Sequence, residues 1–278
     1  MGSPAVRARL ARPAHGHVLG ASAAALYVVL DDRDVVAVVT SDGVQLPGAL
    51  VLGTTSAATP LSVHPDGQSA QVRDGALEVG AVRYRAVRER ADPLPLPQAR
   101  IRGDVVDELD RQLVDPHDGA LASALRDGTG RLRAALRSGD APAACRAADG
   151  LLGLGPGLTP SGDDVLAGAL VACALLREAP GAAAVAATSA GLGDHVGRTA
   201  PWRTGAVSAA LLRHAAAGRA APPVVDLVRA LVGTRPPAPA LTALLAVGST
   251  SGADTARGVL TAARVLQERS PTDGPEDR

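Results

Sequence analysis

Asp163 and Asp164 are adjacent carboxylates at the end of a stretch otherwise made of glycine, proline, leucine and hydroxyl residues, Gly155-Pro156-Gly157-Leu158-Thr159-Pro160-Ser161-Gly162. A partial echo follows later in the chain, Gly248-Ser249-Thr250-Ser251-Gly252-Ala253-Asp254. In both copies a glycine stands four positions after the aligned aspartate, Gly168 after Asp164 and Gly258 after Asp254. The pattern Ser-Gly-x-Asp-x-x-x-Gly therefore occurs twice, each time where a polar turn runs into an apolar helix. Unpaired N–H groups at a helix start, together with the helix dipole, attract anions. Glycines let the backbone approach a ligand closely, and nearby hydroxyls add donors. The doubled pattern reads as a paired anion site, with Gly155, Gly157, Thr159, Ser161, Gly162, Ser249, Ser251 and Gly252 as its binding residues.

A carboxylate beside a phosphate repels it unless something intervenes. Mg²⁺ held by one or two carboxylates is one solution. A substrate amine or amide that gives its proton to the aspartate during attack is another. The residues leave both open, and with them the cofactor. Asp163, Asp164 and Asp254 are the catalytic candidates under either reading.

Helix stability alone offers a competing account. Ser161-x-x-Asp164 and Ser251-x-x-Asp254 both resemble capping boxes, with Asp where Glu or Gln is usual. Capping does not require the stiff Gly-Pro-Gly-Leu-Thr-Pro loop, and only one of Asp163 and Asp164 can serve a cap. The spare aspartate and the loop are what capping leaves unexplained.

A third group lies between the copies. Arg203 and Thr204 precede a helix expected to run to about Ala217, and Arg203 could clamp a carboxylate or phosphate in bidentate fashion. Among 28 basic residues, every one an arginine, a solvated surface role is the default for it. His214 reads as a helix C-terminal residue favoured by the dipole. His195 reads as structural, and Trp202 as a candidate pocket wall.

Composition narrows the classes. The chain has 278 residues, a formal net charge of +0 and 46% hydrophobic residues, a soluble globular profile with no bulk charge for nucleic acid. Without lysine there is no Schiff-base lysine and no phosphate-loop lysine. Cys145 and Cys173 sit in Ala/Leu-rich helical contexts and read as small buried hydrophobes. No zinc-type spacing occurs. The longest apolar run, Val165 to Leu176, is shorter than the roughly 20 residues that span a bilayer. The N-terminal arginines and the segment Val18–Leu30 resemble a signal peptide only weakly; the segment looks more like a first strand, and the expected location is cytoplasmic.

The elements that must position these residues fall into two blocks, an α+β organisation. Residues 1–92 read as a small antiparallel β domain, barrel- or sandwich-like, with short β-branched runs at 25–30, 35–40, 45–52, 69–73, 76–79 and 82–87 separated by Asp-Gly and Pro-Gly turns. Asp92-Pro93-Leu94-Pro95-Leu96-Pro97 breaks the pattern. Residues 98–269 then read as a larger Ala-rich helical domain. A helical period begins at Val105, and helices follow near 120–138, 141–150, 161–178, 181–193, 203–217, 223–233, 238–247 and 252–268. The polar tail 270–278 is expected to be disordered.

The motif Leu152-Gly153-Leu154-Gly155-Pro156-Gly157-Leu158-Thr159-Pro160-Ser161-Gly162-Asp163-Asp164, with Leu166-Ala167-Gly168, resembles the signature of the AllH-like family. Arg203-Thr204 with Val207-Ser208, and Gly248 through Asp254, resemble its other two blocks. One departure is Val165, where the family often has Phe; in a chain without Phe this reads as an exchange of one core residue for another. The resemblance implies a subunit of oxamate carbamoyltransferase, an enzyme of allantoin breakdown built from several chains. The implied reaction joins oxamate and carbamoyl phosphate to give oxalurate and phosphate. The implied partners are a small anionic substrate and other subunits, with no nucleic acid and no membrane. A non-catalytic metabolite-binding or scaffold subunit, or a Mg²⁺-dependent phosphotransferase or hydrolase, is the alternative.

Overall fold

The computed structural model describes residues 1–96 and 100–269. The tail 270–278, read from sequence as disordered, lies outside the described residues, as does Pro97 of the proline-rich connection. The chain opens with a short helix, α1 (Pro4–Leu10), which the sequence reading did not anticipate. Ser3 accepts from the Val6 N–H at its start, and proline occupies the first helical position.

Seven strands follow: β1 (Ala14–Ala21), β2 (Ala25–Leu30), β3 (Val35–Val39), β4 (Ala49–Val51), β5 (Ser69–Arg73), β6 (Ala76–Val79) and β7 (Val82–Arg85). They form one sheet in the order β4-β3-β2-β1-β5-β6-β7. The segment read as a first strand is a hairpin, with β1 and β2 antiparallel and the turn closed by Ser22 N–H to Ala25 O at 2.7 Å. One pair departs from the antiparallel expectation: β3 and β4 run parallel. The expected run 45–52 shrinks to the three residues of β4, because Pro47 and Gly48 interrupt it.

The barrel-like expectation is realised through the N-terminus. Gly2 bridges Leu50 on one side of the sheet and Glu89, just beyond β7, on the other. Its N–H donates to Arg88 O at 2.9 Å and its carbonyl accepts from Arg90 N–H at 3.0 Å. Both open edges are thereby paired, which removes unsatisfied strand edges. A Cβ at Gly2 would sit 2.9 Å from Ala86 Cβ and from Val6 Cγ1, so only glycine fits between the two edges.

Strand β3, Val35-Val36-Ala37-Val38-Val39, is buried at every position. Val36 and Val38 join the barrel interior, while Val35 packs outward on Val207 and Ala210. A strand covered on both faces reads as a continuous apolar run, as this one does.

The helices are α2 (Gly103–Gln112), α3 (Gly119–Ser138), α4 (Ala141–Leu151), α5 (Ser161–Leu175), α6 (Ala183–Arg203), α7 (Ala206–Ala216), α8 (Pro222–Leu231), α9 (Pro237–Leu245) and α10 (Ser251–Arg269). Helix α5 is apolar around its whole circumference and lies at the centre of the helical core. Helix α6 runs ten residues beyond its expected end, so Arg203 closes that helix and does not open the next. Gly193, where the expected helix ended, is a packing residue within α6, and a Cβ there would lie 3.0 Å from Ala216 Cβ of α7.

Candidate active site

The repeated motif is first a packing device. Helices α5 and α10 cross so closely that a Cβ at Gly168 would lie 2.1 Å from Thr255 O, and one at Gly258 would lie 2.0 Å from Val165 O. The contact is reciprocal, each glycine meeting the backbone of the other helix. The other glycine of each copy does the same job against the preceding helix. A Cβ at Gly162 would lie 2.1 Å from Leu151 O of α4, and one at Gly252 would lie 2.0 Å from Leu244 O of α9. Gly162 and Gly252 therefore face protein backbone. Val165, at the position where Phe is common in the family the motif resembles, is fully buried at this crossing.

Neither cap forms as expected at the first copy. Pro160 is the N-cap of α5 and offers no side-chain acceptor; Ser161 is already helical and is buried against Gly155. The backbone N–H groups read as an anion cradle are largely consumed by the chain. Gly162 donates to Leu154 O at 2.9 Å, and Asp163 and Asp164 donate to Pro160 O at 2.9 and 3.1 Å. At the second copy Gly252 donates to Val247 O at 3.0 Å and Asp254 to Thr250 O at 3.0 Å.

The three aspartates have three different environments. Asp163 is 1% exposed and fully engaged. Its Oδ1 accepts from Gly153 N–H at 2.9 Å, and its Oδ2 accepts from Ser208 Oγ at 2.7 Å and from Thr204 Oγ1. Through these bonds it ties the glycine loop to the α6–α7 junction. Gly153 has φ +75°, and a Cβ there would lie 2.5 Å from Arg203 O, so the loop closes on that junction only with glycine.

Asp254 is fully buried on α10 and carries a partner from far away in sequence. His117 Nε2, in the loop between α2 and α3, lies 2.9 Å from both of its oxygens, and Arg257 Nη1 stands 3.6 Å from Oδ1. His117 is a residue that sequence reasoning missed. Nothing about an Asp-Pro-His-Asp loop points to a partner on the last helix.

Asp164 is different. It is 8% exposed, and its Oδ2 has no hydrogen-bond partner. Burial pushes its carboxyl up to about 7; the Ser251 hydroxyl pulls it back, the negative Asp254 raises it further, and Thr159 opposes again. Thr159 Oγ1 and Ser251 Oγ are 3.0 Å apart. The two copies of the motif thus converge on one carboxyl.

Asp164, Thr159, Gly248, Ser251 and Thr255 line a cavity of about 320 Å³. Its other lining residues come from both halves of the chain: Tyr27, Leu46 and Pro47 from the β domain, and Val207, Leu211 and Val224 from the helices. Arg219 lines the same cavity. Sequence reasoning missed it as well, since one arginine among many carries no local mark.

The remaining sequence candidates lie elsewhere. Arg203 is exposed and donates to Asp149 O at 3.0 Å, and does not line the cavity. Thr204 serves Asp163. Ser249 is exposed and outside the cavity lining, as are Gly155 and Gly157, the latter with open space around it. Trp202 is 75% exposed with the Arg33 guanidinium 4.4 Å over its ring, so it is a surface residue and not a pocket wall. His195 pairs with Asp149 at 2.8 Å. His214 sits in the last turn of α7, but burial, aided by Arg219 and Arg213, lowers it to about 4 and overrides the dipole.

Among the described residues no group of three or more His, Cys, Asp or Glu could hold a metal ion, and no helix is long and apolar enough to cross a membrane. No solved structure matches the chain. Residues 151–263 match the family model of oxamate carbamoyltransferase subunit AllH. That span is less than half of the chain; over it the chain is similar to that family, and it holds both copies of the doubled motif together with Asp163, Asp164, Asp254 and Arg219.

Proposed function

We propose that this chain is the subunit of an oxamate carbamoyltransferase that holds the acceptor amide, with Asp164 as its general base. The family's name supports a carbamoyltransferase subunit that works with other chains. The observation that carries the finer reading is Asp164 itself: a buried carboxyl with an unpartnered oxygen, at the mouth of a cavity, beside two hydroxyls.

In the proposed step the amide nitrogen of oxamate attacks the carbonyl carbon of carbamoyl phosphate. A carbon–nitrogen bond forms and the carbon–oxygen bond to phosphate breaks. The amide proton passes to the Asp164 carboxylate, and the products are oxalurate and phosphate. An amide nitrogen is a poor nucleophile, so a base with a pKa near the working pH is what the step needs. Thr159 and Ser251 can donate to acceptor oxygens. Arg219 supplies the cavity's cation. Asp163 and Asp254 act indirectly, the first by fixing the loop and the second through its charge near Asp164.

The leaving phosphate finds fewer backbone donors here, because the N–H groups of Gly162, Asp163, Asp164, Gly252 and Asp254 are engaged. That observation favours a second reading, in which another subunit supplies the phosphate site and this chain binds only the acceptor. Were Mg²⁺ bound, Asp164 would be the residue to hold it, and the ion would supply positive charge for the phosphate.

The test is phosphate release from carbamoyl phosphate plus oxamate by the assembled enzyme, with wild-type chain, with Asp164→Asn and with this chain omitted. Unchanged turnover in folded Asp164→Asn removes Asp164 from the chemistry. Activity that survives omission of the chain removes it from the enzyme's core.

A further inference from the structure

The cavity at Asp164 is larger and more apolar than oxamate requires. Its volume of about 320 Å³ falls at the lower end of pockets that hold drug-sized ligands, which run from roughly 300 to 1,000 Å³. Oxamate is a two-carbon anion with no apolar part. Besides Asp164 and Arg219, its lining includes Val171, Val207, Leu211, Val224 and Val247, with Tyr27 from the β domain.

Arg219 is built for an anion. Its Nε donates to His214 Nδ1 at 3.1 Å, and among the described residues no carboxylate forms an ion pair with it. An arginine is always charged, so it cannot accept, and His214 Nδ1 must be the acceptor. His214 is packed so that a Cβ on Gly48 would lie 2.6 Å from its Nε2. The imidazole therefore holds one edge of the guanidinium in place and brings no charge to cancel it. A cation without a counter-ion, set at an apolar cavity that also holds an unpartnered carboxyl, lacks a charge that a ligand can provide.

We infer that the acceptor class for this site is an ω-amido carboxylate with an apolar chain, its amide at Asp164 and its carboxylate at Arg219. Oxamate is the shortest member of that class. The inference rests on the reading of Asp164 as the acceptor base and deepens it by naming what fills the rest of the cavity.

Calorimetric titration of the full chain at pH 8 with oxamate, succinamate and adipamate tests it. Affinity is expected to climb with chain length, adipamate binding at least about ten-fold more tightly than oxamate, because each added methylene leaves water for the apolar wall. Adipamide, which lacks the carboxylate, is expected to lose that gain, and so is Arg219→Gln. The ligand comparison needs no variant, so it stands even if Arg219→Gln fails to fold. Equal or tighter binding of oxamate, or equal binding of adipamide and adipamate, overturns the inference. Phosphate release with oxamate in the assembled enzyme is scored separately. Turnover that depends on Asp164, without a length preference in binding, sinks the inference and spares the functional reading. A length preference with no effect of Asp164→Asn on turnover does the reverse.

Discussion

Thr159 and Ser251, one from each copy of the repeated motif, meet with their hydroxyl oxygens 3.0 Å apart beside the Asp164 carboxyl. The relation follows from the helix crossing below them. Gly168 and Gly258 let α5 and α10 touch backbone to backbone, which brings the starts of both helices to the same end of the cavity.

Asp164→Asn is expected to lower turnover by about 10²–10⁴-fold, the range of a positioned general base, while the protein stays folded. In wild type the rate should rise with pH and level off above about 7, where the raised carboxyl is ionised, and the variant should lose that limb. Stability should move the other way. The folded pKa lies above the unfolded value of 3.8, so the folded state holds the proton more tightly, and stability falls as pH rises from about 4 to about 7. At pH 8 Asn removes a penalty of up to about 4 kcal/mol, and at pH 4 the gain should vanish. Urea melts of both proteins at the two pH values check this.

Asp163→Ala is expected to fail differently. It leaves the Gly153 N–H and the Thr204 and Ser208 hydroxyls without their acceptor, at about 1–3 kcal/mol for each buried group. A large loss in chemical stability is predicted, measurable by urea denaturation. A fully stable Asp163→Ala protein would contradict the assignment.

His117→Ala is expected to destabilise by about 3–5 kcal/mol, since it strands Asp254 in the core beside only Arg257. The double variant His117→Ala/Asp254→Ala should recover part of that loss, because no buried charge is then left unpaired. A double-mutant cycle on thermal melts measures the coupling.

Gly168→Ala and Gly258→Ala should each cost at least about 1–3 kcal/mol, as each methyl forces α5 and α10 apart. The double variant should cost clearly less than the sum. Once one methyl has separated the helices, the second meets less resistance. Additive losses would show that the two contacts are independent.

His214→Asn should flatten the acid side of the stability profile. The imidazole is lowered from 6.5 to about 4 in the folded state, so the unfolded chain takes up the proton first as pH falls. Wild-type stability drops through that window by up to about 3 kcal/mol from this group, opposite in sign to the Asp164 contribution. The difference between wild type and variant, followed by denaturation from pH 7 to pH 4, isolates it.

Most helices of the second half could be read directly, because their apolar period is local and their ends carry Gly or Pro. The β domain was legible as strands and turns, but its closure was not. That depends on Gly2 bridging two edges whose residues are far apart in sequence. Helix α6 continues past Gly193, whose packing on Ala216 of α7 depends on a residue outside its own helix. The doubled motif holds Asp164, Thr159 and Ser251, which the structure brings to one cavity. Arg203 and Trp202 were chosen for residue type and lie on the surface, while Arg219 and His117 carried no local mark at all.

The sequence by itself determined most of the strands and helices and that one helix start is built twice, since periodicity and turn chemistry are properties of near neighbours. Which of three similar aspartates keeps an oxygen without a hydrogen-bond partner was decided only by the tertiary structure. Asp163 meets Thr204 and Ser208, Asp254 meets His117, and Asp164 meets a cavity. A carboxyl's role depends on which donors and how much water reach it, and those come from chain segments that only folding brings together.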